Sequence, residues 1–171
     1  MNSTDPRLLR SLSLLVLSFS TVCSSTTPTR LCEGFQSYQT LTDVQADLRN
    51  RGLPDGWTEK SRGTGPNDRR TPYKMTELSG PTKLLGNQGF LTLTFYNGRL
   101  MQTRFSPQRG DDFKAALRRN GISIPPRPDE ETVTDRRTRF RFGISADGQL
   151  FFTWYDPQLQ DEWTKWVASN S

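Results

Sequence analysis

A chain of 171 residues with a net charge of +5 and 11% aromatic residues is long enough to bury one core without a metal or disulfide staple. It holds no histidine and only two cysteines, Cys23 and Cys32. That excludes histidine-dependent triads, histidine proton relays and zinc sites built from cysteine and histidine.

Arg7 and Arg10 precede an apolar run containing Leu12, Leu14, Leu15, Val16, Leu17, Phe19 and Val22, and the polar stretch Ser24 to Pro28 follows. This basic, apolar, small-polar order has the form of a secretory signal. The run spans about a dozen residues, short of the ~18 to 20 that cross a bilayer as a helix. Residues 1–24 are therefore expected to be a signal-type segment and the protein to be extracytoplasmic, either secreted or periplasmic. Cleavage after Ser24 fits the small-residue rule, while Val22 fits poorly before a lipidated cysteine. Lipid anchoring through Cys23 stays open as an alternative, as does an apolar start that is not a signal. Residues 25–39 read as a tether and lead-in, and residues 40–171 as a single α+β domain. Cys32 is expected as a small buried hydrophobe near the first element.

Thr42, Asp43, Val44, Ala46 and Leu48, closed by Gly52, read as a short capped helix. Asp111, Asp112, Phe113, Ala116, Leu117 and Gly121 repeat the design, with Asp111 as the cap. Asp161, Glu162, Trp163, Trp166 and Val167 give a third helix with acids in its first turn. Phe90 to Tyr96 and Arg99 to Ser106 alternate around Asn97-Gly98, and Arg139 to Ala146 and Gln149 to Tyr155 around Asp147-Gly148, predicting two hairpins. Weaker strand patterns lie near Trp57 to Ser61 and Tyr73 to Leu78. Ser79 to Lys83 reads as a turn between strands rather than a phosphate-binding loop, because Pro81 removes an amide donor. Arg62 to Thr71 and the stretch from Pro125 to Glu131 read as surface loops.

Residues 97–118 superpose on 147–168 at an offset of fifty, with six identities: Gly98/Gly148, Leu100/Leu150, Thr103/Thr153, Pro107/Pro157, Gln108/Gln158 and Asp111/Asp161. They fall on turn, cap and core positions, as in a pseudo-repeated unit of helix, strands and hairpin.

A two-residue turn at Asp147-Gly148 pairs Phe140 with Tyr155 and Phe142 with Thr153 on a core face. It sets Arg139 beside Asp156, Arg141 beside Trp154 and Gly143 beside Phe152 on the other. Arg139, Arg141, Phe152 and Trp154 are accordingly the expected binding residues, since arginine and tryptophan are enriched at binding hot spots. The competing reading is a self-satisfied face with Arg141 capping Trp154 and Arg139 paired to Asp156.

Other motifs are absorbed by structure. Arg109-Gly110-Asp111 is helix entry, the acid pairs are helix starts, and Gly143 to Gly148 lacks the helix that follows a nucleophile elbow. No catalytic residue, metal ligand or cofactor is expected. The leading expectation is a non-catalytic exported module that binds a protein or cell-envelope component. Binding of an acidic polymer (glycan, lipid headgroup or nucleic acid) is the alternative, and a histidine-free enzyme the third.

Overall fold

The computed structural model describes residues 27–32, 34–51 and 56–171. The expected signal-type segment, Cys23 and the helix-closing Gly52 lie outside them. The elements in order are α1 (Leu41–Asn50), β1 (Thr58–Gly63), β2 (Lys74–Leu84), β3 (Asn87–Tyr96), β4 (Arg99–Pro107), α2 (Gly110–Arg119), β5 (Thr132–Asp135), β6 (Thr138–Ile144), β7 (Leu150–Tyr155) and α3 (Pro157–Asn170). The strands form one antiparallel seven-stranded sheet in the order β1-β2-β3-β4-β7-β6-β5, the α+β arrangement that the element pattern predicts.

Strand alternation divides the sheet into two unlike faces. On one, Leu78, Leu93, Thr103, Trp154 and Phe140 lie in register across five strands, with Leu91, Phe105, Phe152 and Phe142 in the neighbouring row. Val44 and Leu48 of α1, Phe113 and Leu117 of α2, and Leu31, Cys32 and Phe35 of the lead-in close over these rows in one cluster. The Phe113 ring meets Phe105 and Phe152 at 4.8 Å each. Every such side chain taken from water stabilises the fold by about 1.5–3 kcal/mol, so this covered face is the main core. Cys32 is buried in it, as expected.

Among the described helices, α3 alone crosses the opposite face, at one end. Leu159 packs on Met75, Tyr96 and Met101, while Trp163 meets Tyr73 and Tyr96. Trp166 Nε1 donates to the Thr71 carbonyl at 2.8 Å, which pins the end of the helix. Among the described residues no helix covers the remainder, and none is long and apolar enough to cross a membrane.

Several expected boundaries shift for local reasons. The cap of α1 is Thr40, not Thr42, because Thr40 and Asp43 form a reciprocal capping box. Asp111 is not the cap of α2; that position is Arg109, and Asp111 and Asp112 sit in the first turn. The third helix begins earlier than its acids indicate, at Pro157, because the fully buried Asp156 accepts from the Gln158 and Leu159 amides and Pro157 needs no acceptor. Ser79 to Lys83 is strand, not turn. Pro81 is tolerated because β1 ends its pairing with β2 at Ser79, leaving that edge free; the turn itself is Leu85-Gly86, both at positive φ.

Asn97-Gly98 is the expected two-residue turn, with φ of 49° and 77° and Tyr96 opposite Arg99. The second hairpin departs from expectation. Gly148 N donates to Ser145 O at 2.8 Å and only Gly148 has positive φ, so Ala146, Asp147 and Gly148 form a three-residue loop. Phe140 then lies opposite Trp154, Arg141 opposite Thr153, Phe142 opposite Phe152 and Arg139 opposite Tyr155. Every side chain on one strand is thereby displaced to the other face relative to the expected pairing.

The two halves matched at an offset of fifty share element order but not orientation. Because Arg104, rather than Thr103, lies opposite Thr153, matched residues are one step out across the β4–β7 seam. Phe105 points into the main core while its counterpart Tyr155 points to the opposite face, and α2 and α3 cover opposite sides.

Candidate functional site

The uncovered part of the sheet is organised in cross-strand rows. Thr58, Ser79, Thr92, Arg104, Thr153 and Arg141 are successive neighbours from β1 to β6. In the next row Gln102 of β4 adjoins Tyr155 of β7, which adjoins Arg139 of β6. Short hydroxyl side chains flank two long basic ones, leaving the arginines as the tallest groups of their row.

Arg104 and Arg141 stand on either side of the buried Thr153. The Arg104 guanidinium carbon lies 3.7 Å from the Phe151 ring centroid, and that of Arg141 lies 5.9 Å from the Tyr155 ring. Phe151 has room for this because β6 carries Gly143 beneath it, where an added Cβ would come within 2.3 Å of the ring. None of the ion pairs among the described residues involves Arg104, Arg139 or Arg141. Arg141 Nε is buried with no hydrogen-bond partner among those residues.

The titration behaviour follows from this crowding. Burial, and then the charge of Arg141, push the Arg104 guanidinium below its ordinary value, against the pull of Glu77. Burial pushes the Tyr155 phenol up to about 12, helped by its hydrogen bond to Glu131 and that carboxylate's charge, and opposed by Arg141 and Arg139. Glu131 thus engages a phenol and not a guanidinium.

Of the four expected binding residues, Arg139 and Arg141 lie on this open face. Phe152 and Trp154 do not: they are 0% and 2% exposed in the main core, because the three-residue loop shifts the register by one. Phe151 and Tyr155 stand in their place. The expected Arg139–Asp156 pair is also replaced. Asp156 accepts from Arg137 at 2.9 Å, and Trp154 packs on Phe140 at 4.9 Å rather than under Arg141. Arg104 escaped the sequence reading, although alternation with Gln102 and Ser106 places it on the polar side of its strand.

A concavity of about 310 Å³ opens beside the lead-in, lined by Leu31, Cys32, Leu84, Ile122 and Trp154 among others. Its rim carboxylate, Asp135, already accepts from the Arg30 amide at 3.1 Å. Among the described residues no cluster of three acidic or cysteine side chains offers a metal site. Compared with protein-family models and with curated protein sequences, the chain matches none.

Proposed function

We propose that the chain is a non-catalytic extracytoplasmic module that binds a protein or cell-envelope component through the open sheet face around Arg104, Arg139 and Arg141. The supporting observation is that α3 covers one end of this face and that, among the described residues, Arg104, Arg139 and Arg141 on the remainder form no ion pair with a carboxylate. Neighbouring cations repel, so an anionic group laid against Arg104 and Arg141 relieves that repulsion as well as pairing with each. The export half of the proposal rests on the order of residues 1–28. An intact mass beginning near Ser25 supports soluble export, one beginning at an acylated Cys23 supports anchoring, and full-length mass in the native host overturns export.

Binding through this face is tested by photocrosslinking in the native host. A photoreactive residue at Thr92, within the row, is expected to yield a discrete adduct, whereas one at the exposed Arg118 of α2 is not. Equal labelling from both positions, or none from Thr92, defeats the proposal. The second reading, an acidic polymer as partner, is favoured by the same unpaired arginines. It predicts an affinity that falls steeply with salt, where a packed protein interface depends on salt weakly.

A further inference from the structure

We infer that Arg104 and Arg141 form a site for a phosphoryl group, a phosphomonoester carried by whatever the open face binds; the inference rests on that face being the binding surface.

The two arginines belong to one cross-strand row and are separated by one strand, which puts their Cα atoms about 9.5 Å apart. Two long side chains rising from that separation can lean together over Thr153, whose side chain lies between them. The Arg104 guanidinium is stacked on Phe151, and stacking uses the flat face of the group and leaves its N–H edge free. Phe151 is itself fixed over Gly143, so the stacked guanidinium is positioned before any ligand arrives. Less rotamer freedom then remains to be lost on binding.

The chemistry selects among anions. A carboxylate has two oxygens in one plane and a single charge, which one guanidinium in a bidentate pair already neutralises. A phosphomonoester presents three peripheral oxygens in a pyramid and carries nearly two charges at neutral pH. It can therefore accept from both guanidinium groups at once and neutralise both. Two acids lie nearby without pairing with these arginines among the described residues: Glu131 accepts from the Tyr155 hydroxyl, and Glu77 acts on Arg104 through its charge and forms no ion pair there. Thr92, adjoining Arg104 in the row, adds a hydroxyl within the same surface.

The test titrates the full chain with inorganic phosphate and with acetate at low ionic strength, and in parallel measures its retention on phosphatidylcholine vesicles with and without phosphatidic acid, whose headgroup is a phosphomonoester. Phosphate is expected to bind at least about tenfold more tightly than acetate, and Arg104→Gln or Arg141→Gln each to weaken it at least about tenfold, with Arg118→Gln inert. Arg104→Lys and Arg141→Lys, which keep the charge and lose the fork, are expected to fall between. Unchanged thermal unfolding of the variants keeps a loss of binding from being read as a loss of fold. Retention on phosphatidic acid vesicles alongside phosphate binding assigns the group to a lipid headgroup; phosphate binding without retention assigns it to a soluble phosphomonoester. Equal affinity for acetate, or binding that survives the double glutamine variant, overturns the site. If phosphate fails while Thr92 still crosslinks a partner, only the phosphoryl assignment falls; if Thr92 is silent too, the open face falls with it.

Discussion

The hairpins β3–β4 and β6–β7 have nearly the same sequence signal and different structures. Each alternates around an Asn-Gly or Asp-Gly pair, yet the first turns in two residues and the second in three. In the first, Asn97 adopts φ of 49° and its side-chain oxygen accepts from the Lys74 amide at 2.8 Å, which rewards the left-handed conformation. In the second, the Ser145 hydroxyl binds Asp147 and the Gln149 carbonyl, which holds the loop in its wider form with Gly148 alone left-handed. One residue of turn length is thereby converted into an exchange of faces, because strand side chains alternate with a period of two. The exchange sends Phe152 and Trp154 into the core and leaves Arg139 and Arg141 outside.

The sharpest way to break this account is to compare adjacent aromatic residues on β7. Phe152→Ala and Trp154→Ala are each expected to cost about 3–5 kcal/mol, the range for emptying a packed aromatic site. Phe151→Ala, from the open face, should cost less, about 1–2 kcal/mol, since its ring is only partly buried there. Urea unfolding midpoints decide the matter. A Phe151 loss as large as that of Phe152 would restore the two-residue register and return Trp154 to the surface.

How much of the molecule can be read from residues alone follows the same division. The three helices, both hairpins and the α+β class are carried by periodicity and turn chemistry, which are local. Cys32 is legible as a buried hydrophobe for the same reason. The seam between β4 and β7 is not local, and it decides which arginines become neighbours: Arg104 and Arg141 are brought to either side of Thr153 only by strand order. Pro81 misled because a proline reads as a break unless the absence of a neighbouring strand is known, and that absence is a tertiary fact. Half the candidate site was therefore visible, in Arg139 and Arg141, and half depended on a turn whose length two adjacent residues leave undecided.

The turns themselves supply a finer comparison. Asn97→Ala places a side chain that disfavours left-handed backbone at φ of 49° and removes the acceptor for Lys74 N. A loss of about 1–2 kcal/mol is expected. Asp147→Ala strains no backbone, since Asp147 is not at positive φ, and removes only the exposed carboxylate that Ser145 binds, so its loss should be clearly smaller than that at Asn97. Matching losses at the two positions would mean that both hairpins turn alike.

The smallest effect probes Phe105 and Tyr155, which the fifty-residue offset equates and the fold sets on opposite faces. Phe105 meets only the core, whereas Tyr155 is held protonated by burial and by Glu131 up to about 12, above its ordinary 10.0. A phenol whose value is raised by folding contributes stability that is fully present below pH 10 and is lost as pH climbs through about 12, because over that interval the folded state holds a proton the unfolded chain has released. Tyr155→Phe should cost less than ~1 kcal/mol at neutral pH, where only the hydroxyl contact disappears. Its unfolding free energy should then decline less steeply than the parent's between pH 10 and 12. Glu131→Gln should act in the same direction by lowering the pH at which the phenolate band of Tyr155 emerges. Parallel alkaline slopes for parent and Tyr155→Phe would place this phenol in ordinary solvent and remove the pairing with Glu131 that keeps the carboxylate away from Arg141.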